Sequence, residues 1–293
     1  MSLGQDSCSG SRLSGLPLGW YVVAESRKVG RGQHLSRTYF GEKLRFYRTR
    51  SGDLRVTTPA SLRKWPICEH NGLIFAWYHP DRTEPDWDIP VLPTDGWTNF
   101  RIRGMNVRSH PQETTENSVD VGHFVQVHGF GDAWYEDDLD IQGHLLKGAY
   151  GIDYMIFGKL SFVAKFEVEV HGLGYSLVRI HLPRFGMRIH TLILSTPVDE
   201  ERVHLRMGIS IKNWGFPGLP LLIREIASIR LGYEVAQDAP IWSTKRYVER
   251  PLLAEGDGPI AEYRRYCKQF YPQVETVEQE LEQEPDPRQV SAA

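Results

Sequence analysis

The chain has 293 residues, 41% of them hydrophobic and 24% charged, with a formal net charge of −3 at pH 7. That length allows one large domain or two smaller ones, and a charge balance without clustered base excludes a nucleic-acid binder. No apolar run approaches the ~20 residues that span a bilayer, and the Ser- and Gly-rich start lacks the apolar core of a signal peptide.

In chain order, residues 1–15 read as a flexible N-terminus. From Gly19 to Val56 the sequence reads as a β-meander. Trp20–Val23 is its first strand, Ser36–Phe40 and Lys43–Tyr47 hinge at Gly41-Glu42, and Ser51-Gly52-Asp53 makes the next turn. Leu62–Ile67 and Leu73–Tyr78 are expected as a further strand pair joined through Asn71-Gly72, residues that tolerate the positive φ of a tight hairpin turn. Pro80, Pro85, Pro90 and Pro93 rule out regular helix or central strand. That passage reads as the crossing from a small β-subdomain over 16–97 to a larger domain over 98–273.

In the larger part, Glu116–Val127 is expected to be helical, with Gly129 as its stop. Met155–Phe157, Phe162–Val170, Tyr175–Leu182, Arg188–Ser195 and Val203–Ile211 are evenly spaced strand-like runs that predict a curved antiparallel sheet. Leu219–Arg230 and Pro259–Phe270 predict helices that close the sheet into an α+β domain with an internal cavity. Tyr154, Phe157, Phe162, Phe166 and Tyr175 are candidate cavity residues. The acidic cluster Glu136-Asp137-Asp138 and Asp140 reads as a solvated loop, and His144, His171, His181, His190 and His204 as structural residues on strands. Gly129-Phe130-Gly131 and Gly172-Leu173-Gly174 read as turns rather than phosphate-binding loops. Residues 274–293 form an acidic tail with little to bury.

The stretch from Glu116 to His128 carries the chemistry. Asp120 and His123 stand three apart, neighbours on one face of a helix. The carboxylate there can accept the free N–H of the imidazole and leave its other nitrogen for a metal. His128 lies five residues beyond His123 and joins the same metal only if the helix bends or ends. Two histidines need a carboxylate to make the facial triad of non-heme Fe(II) enzymes, and by spacing alone many acidic residues could serve.

The run from Glu113 to Gly129 resembles the iron-binding motif of Rieske-type oxygenases, Asn-x-x-Asp-x-x-His, four residues, then His; here these are Asn117, Asp120, His123 and His128. More narrowly, the chain is similar to the oxygenase component of 3-ketosteroid 9α-hydroxylases and to cholesterol 7-desaturases. The likeness extends to Gln237-Asp238-Ala239-Pro240-Ile241-Trp242, with Arg250-Pro251-Leu252-Leu253 and Gly256-Asp257-Gly258-Pro259-Ile260 after it, and to the run from Trp65 to Trp77. It therefore spans about Gly19 to Tyr271. The resemblance implies Fe(II) held by His123, His128 and Asp238, with Asn117 close to the metal. It also implies a Rieske-like β-subdomain before a helix-grip-like catalytic domain, and a homotrimer in which electrons cross between subunits.

One departure matters. Such oxygenases hold a [2Fe–2S] cluster through Cys-x-His and a later Cys-x-x-His. Cys68-Glu69-His70 fits the first by letter but lies in the strand pair that follows the cluster-binding segment in the family. No Cys-x-x-His exists, and Arg55-Val56 passes through Thr57-Thr58-Pro59-Ala60 directly to Ser61-Leu62. Fe(2+) without a [2Fe–2S] cluster is thus expected, over a truncated Rieske-like subdomain. With Cys8, Cys68 and Cys267 too far apart for a disulfide framework, a cytoplasmic, reducing location fits. In the family, the aspartate at the place of Asp120 bridges one subunit's cluster to the next subunit's iron; here it orients His123 with or without that traffic.

Three functions follow as expectations. The first is an oxygenase hydroxylating or desaturating a small apolar, steroid- or terpenoid-like substrate, with electrons from a ferredoxin and reductase, a cluster-bearing oxygenase subunit or the substrate itself. The second is a redox-neutral enzyme using Fe(II) as a Lewis acid in a lyase, aldol, isomerase or cyclase step. The third is a non-catalytic partner of an intact oxygenase.

Overall fold

A computed structural model describes residue 13 and residues 15–58, 63–156, 160–213, 215–248, 251–252 and 258–271. The expected acidic tail, most of the N-terminal segment and Phe157 lie outside the described residues.

Two small antiparallel sheets come first. β1 (Gly19–Glu25), β7 (Leu73–Tyr78) and β6 (Ile67–His70) form one; β2 (His34–Tyr39), β3 (Glu42–Arg48), β4 (Leu54–Thr58) and β5 (Arg63–Lys64) form the other. Alternation along β1 and β7 sends Tyr21, Val23, Ile74 and Ala76 against Leu44, Phe46 and Val56 of the second sheet. The alternate residues Trp20, Val22, Phe75 and Trp77 enter the main core with Tyr175, Leu177 and Leu192. β1 and β7 are therefore apolar on both faces.

Asn71 and Gly72 take φ of +51° and +77°, and their turn closes the hairpin of β6 and β7. The strand expected over Leu62–Ile67 is not one strand. Pro66 has no N–H to give a ladder, and on its two sides Arg63–Lys64 and Ile67–His70 belong to different sheets; Leu62 lies outside the described residues.

The larger sheet has seven strands: β8 (Arg101–Val107), β9 (Ala133–Gln142), β10 (Leu145–Ile156), β11 (Leu160–His171), β12 (Tyr175–Leu182), β13 (Met187–Pro197) and β14 (Val203–Ile211). They run antiparallel in the order β8-β14-β13-β12-β11-β10-β9. The fold is mixed α+β, but the curved antiparallel sheet expected from the sequence is corrected. This sheet is open, neither closed nor strongly curled, with β8 and β9 as its two unjoined edges. The helix-grip-like description falls with it. The five evenly spaced runs fall on β10 to β14 and carry no information on curl, which depends on what packs on each face. Here a helix, not a curling sheet, covers the hollow: α3 (Leu219–Thr244) lies on β14 and β8.

The acidic stretch read as a loop is the edge strand β9. Its Glu136, Asp137, Asp138 and Asp140 leave the edge charged, which discourages pairing with another chain. The helix expected to end at Arg230 continues to Thr244 and so carries Asp238. Pro240 sits inside it, and its carbonyl accepts from the Ser243 and Thr244 hydroxyls at 2.9 and 3.0 Å. α4 (Ile260–Cys267) covers the main core with Tyr263 and Tyr266. No helix among the described residues is long and apolar enough to cross a membrane.

Candidate metal centre

The helix expected over Glu116–Val127 is broken into α1 (Pro111–Glu116) and α2 (Gly122–Gln126). Two features of the intervening segment explain the break. Val119 and Val121, 1% and 2% exposed, are drawn into the main core. The Tyr135 hydroxyl accepts from the Val121 N–H at 3.3 Å and donates to the Val119 carbonyl, taking over backbone groups that a helix would pair internally.

Asp120 and His123 therefore do not share a helical face. The Asp120 carboxylate accepts the backbone N–H of His123 at 3.3 Å, while its backbone carbonyl meets His123 Nδ1. The expected carboxylate-to-imidazole bond is replaced by a carbonyl-to-imidazole bond with the same consequence: a proton on Nδ1 leaves Nε2 free as a ligand atom.

Past the end of α2, His128 Nδ1 lies 3.2 Å from Gln237 Oε1, and its Nε2 lies 3.5 Å from Asp238 Oδ1. Asn117, in the break, donates from Nδ2 to Asp238 Oδ2 at 3.2 Å. His123, His128 and Asp238 each offer one ligand atom, all within 4.8 Å of one another. Gln237 is not among the site residues expected from the sequence; its place immediately before Asp238 is the one local signal for it.

The electrostatics suit a cation. Burial pushes His123 down to about 4, opposed by the Asp120 carbonyl, with His128 lowering it further. Burial also pushes the Asp238 carboxyl up, against the downward pull of His128 and the Asn117 hydrogen bond, while Glu234 and Asp120 raise it. A buried carboxylate that resists ionising and a buried imidazole that resists protonation both gain from a divalent ion held between them. Two imidazole nitrogens and one carboxylate oxygen, with the remaining directions open, match the facial triad of mononuclear Fe(II) proteins.

The site opens on a cavity of about 290 Å³ between the sheet and α3. Residues alternating along β10 to β13 supply its floor, among them Tyr150, Phe166, Ile180 and Ile189, which register places in one row across four strands. Tyr154, Phe162 and Phe166 wall it as the sequence suggested. Tyr175 instead packs on Phe75. Phe124 and Phe130 beside the histidines, and Leu231 and Trp242 from α3, were not foreseen. At one side Tyr154 donates to Glu234 at 3.2 Å, and Arg230 pairs with Glu234 at 2.6 Å.

None of the five scattered histidines lines this cavity. His144 stacks on Trp87, His190 on Trp97, and His204 Nδ1 lies 2.9 Å from the Tyr39 hydroxyl. Cys68 and His70 form part of β6 and, among the described residues, join no metal-ligating group.

The family model for the 3-ketosteroid 9alpha-hydroxylase C-terminal domain matches residues 76–271, which is 196 of the 293 residues. The chain belongs to that family. Among proteins similar to this ketosteroid-hydroxylase-type chain is a 3-ketosteroid-9-alpha-monooxygenase oxygenase component of Rhodococcus rhodochrous, 27% identical over 78% of this chain and 62% of its own length. Another is a cholesterol 7-desaturase of Caenorhabditis elegans, 26% identical over 87% of this chain and 77% of its own. That alignment runs over 337 positions, more than the 293 residues here, so the desaturase carries segments this chain lacks. The chain spans about three-fifths of the length of two ketosteroid-monooxygenase relatives that it matches, 62% and 61%. Dicamba monooxygenase bound to dicamba shares the fold, with a TM-score of 0.69 at 17% identity over 86% of this chain and 96% of that one. A Pseudomonas putida NdmA variant with theobromine does so at 0.62, with 11% identity over 85% and 89%. The chain is thus a Rieske-oxygenase relative with a facial triad of the Fe(II) type, whose sequence contains no Cys-x-x-His.

Proposed function

We propose that the protein is a mononuclear non-heme Fe(II) oxygenase that hydroxylates or desaturates an apolar, steroid- or terpenoid-like molecule. The observation that carries this reading is the juxtaposition of the triad with an apolar cavity whose ~290 Å³ lies at the lower end of small-molecule sites. Names of the relatives, a ketosteroid monooxygenase and a cholesterol desaturase, support the substrate class.

His123, His128 and Asp238 would hold the iron. When bound, Fe(II) supplies dioxygen activation, for which the family's chemistry needs two external electrons per turnover. The chain's own residues prepare the site. The Asp120 carbonyl and Gln237 Oε1 each fix an imidazole by its Nδ1, so that both Nε2 atoms are presented unprotonated. Asn117 holds Oδ2 of Asp238 and leaves Oδ1 toward His128. Phe124 and Phe130, stacked 6.0 Å apart beside the histidines, keep water from the substrate side. Asp120 and Asn117 are thus positioning residues.

On this reading residues 16–97 are a truncated Rieske-like subdomain and 98–273 the catalytic domain. Electrons come from a separate ferredoxin and reductase or a cluster-bearing oxygenase subunit. The missing Cys-x-x-His also supports a second reading, a redox-neutral step in which the metal polarises a substrate oxygen.

Anaerobically purified protein should bind about one iron per chain, and His123→Ala and Asp238→Ala should each abolish it. A parent that takes up no Fe(II) overturns both readings. With iron established, substrate-dependent oxygen uptake supports the first reading and turnover without oxygen the second.

A further inference from the structure

A second cavity, of about 210 Å³, lies where β1 and β2 of the small sheets meet β8 and β14 of the large one. Ile209 of β14 lines the metal-site cavity, so strand alternation puts His204 and Arg206 on the opposite face. There they border the second cavity with Glu25 of β1, Arg27 and Lys28 just after it, and Arg37 of β2. Glu25 pairs with Lys28 at 2.5 Å and with Arg27 at 2.8 Å. Arg37 forms no ion pair among the described residues and is exposed. Arg206 is buried, its guanidinium donating to the carbonyls of Val22 and Val23 and to the hydroxyls of Thr196 and Tyr39, yet its charge remains beside the cavity. Four cations (Arg27, Lys28, Arg37 and Arg206) therefore face one carboxylate, a surplus of three positive charges. Arg103 is not counted, because its guanidinium turns to Ser228 of α3 at 2.7 Å.

The same cavity holds an unused donor. The Tyr39 hydroxyl accepts from Arg206, and among the described residues its own hydrogen has only His204 Nδ1, 2.9 Å away, to go to. With Nδ1 as acceptor, the proton of the neutral imidazole sits on Nε2, which has no hydrogen-bond partner among the described residues. Burial, and then Arg206, Arg37 and Lys28, hold His204 down to about 3, so the ring stays neutral. The space in front of Nε2 exists because of Gly104: a Cβ there would lie 2.9 Å from it. Gly104 does not take a positive φ, so the backbone itself does not call for glycine at this place.

We propose that this cavity binds a multiply charged oxyanion of the phosphate class, as inorganic phosphate or a phosphomonoester. His204 Nε2–H donates to one oxygen in the gap left by Gly104, while Arg37 and Lys28 meet the others as charge-assisted donors. A single carboxylate would leave most of the surplus charge unanswered; a phosphate dianion answers more of it. The bound anion would tie β2 and the turn after β1 to β14, and so stabilise the junction of the small and large sheets. The site lies across the sheet from the metal centre and does not rest on the proposed reaction.

Calorimetric titration of the full chain with inorganic phosphate, in a phosphate-free buffer at low salt, tests this. Phosphate should bind at one site per chain and raise the thermal-unfolding midpoint, whereas chloride at equal ionic strength should do neither. Gly104→Ala sets a methyl group against Nε2, and His204→Phe keeps the ring stacked on Tyr39 but removes the donor. Each should weaken phosphate binding about tenfold. Arg37→Gln should weaken it about fivefold and leave the melt of the phosphate-free protein unchanged; Lys147→Gln on β10 should alter neither. Phosphatidic acid vesicles that displace phosphate through the same residues would support the site with a lipid headgroup as the source, and vesicles that do not would support it with a soluble one. Neither heat nor a midpoint shift at millimolar phosphate, an equal effect of chloride, or binding that Gly104→Ala and Arg37→Gln leave unchanged overturns the proposal.

Discussion

Replacing Gln237 by alanine removes the only described acceptor of His128 Nδ1 without touching a metal ligand. The imidazole then loses the contact that fixes which nitrogen carries the proton, and its ring is free to turn about Cβ–Cγ. The neutral tautomer that carries its proton on Nε2 then becomes accessible, and it offers the site no lone pair. Loss of a hydrogen-bond partner behind a metal-bound histidine lowers affinity by about 10- to 100-fold, or roughly 1.4–2.7 kcal/mol. Anaerobic competition of Fe(II) against a chelator reads this directly, with Co(II) absorption as a second readout of the same site. Gln237→Glu supplies an acceptor oxygen at the same reach and should recover most of the affinity, whereas Gln237→Leu, equal in bulk but without an acceptor, should not. An alanine variant that binds Fe(II) as tightly as the parent would refute the view that this hydrogen bond prepares His128.

The other expected outcomes concern positioning, pH and the cavity. Asn117→Ala leaves Asp238 Oδ2 without that donor in a buried site and should cost about 1–3 kcal/mol of metal-free stability, measured by urea unfolding. Tyr135→Phe removes the hydroxyl that holds the Val119 carbonyl and Val121 N–H; stability should fall by about 1–2 kcal/mol, and Fe(II) affinity with it as His123 loses its fixed approach. Burial holds His110 down to about 4 in the fold, against an ordinary value of 6.5. Between those values the unfolded chain binds a proton that the folded chain refuses, so stability rises with pH there and is lost on acidification. From pH 7 to 5 this group should cost about 2 kcal/mol, and His110→Gln should flatten that part of the urea-midpoint profile; an unchanged profile would sink the assignment. Ala164→Phe, filling the cavity from β11, should leave iron content at the parent level while abolishing protection of the protein against thermal unfolding by a ketosteroid ligand.

Several features were legible in the sequence because they are local. The Asn71-Gly72 hairpin needs only residues that accept positive φ, and the two residues that take it are the ones named. Alternating side chains on β11 to β13 mark one buried face by their period of two; of the aromatics named as cavity candidates, Tyr154, Phe162 and Phe166 line the cavity and Tyr175 does not. The letters His123, His128 and Asp238 stood out through a family resemblance, and the fold brings their ligand atoms together.

What only the tertiary structure decided depends on residues far apart in the chain. Asn117 reaches Asp238 across 121 positions, and Gln237 reaches His128 across 109; no spacing rule encodes either. Helical propensity over Glu116–Val127 lost to burial of two valines and to a tyrosine hydroxyl from a neighbouring strand. That break turned the expected Asp120 carboxylate contact into a carbonyl contact. Strand-like runs likewise marked five of the seven strands of the larger sheet, missing both edges and its lack of curl, because edge pairing and curl are set by what packs against the strands. The sequence by itself determined which residues can bend, pair or ligate, since these follow from the chemistry of each residue and its near neighbours. The fold decided which backbone or side-chain atom meets each of them, since that follows from the packing of elements distant in the chain.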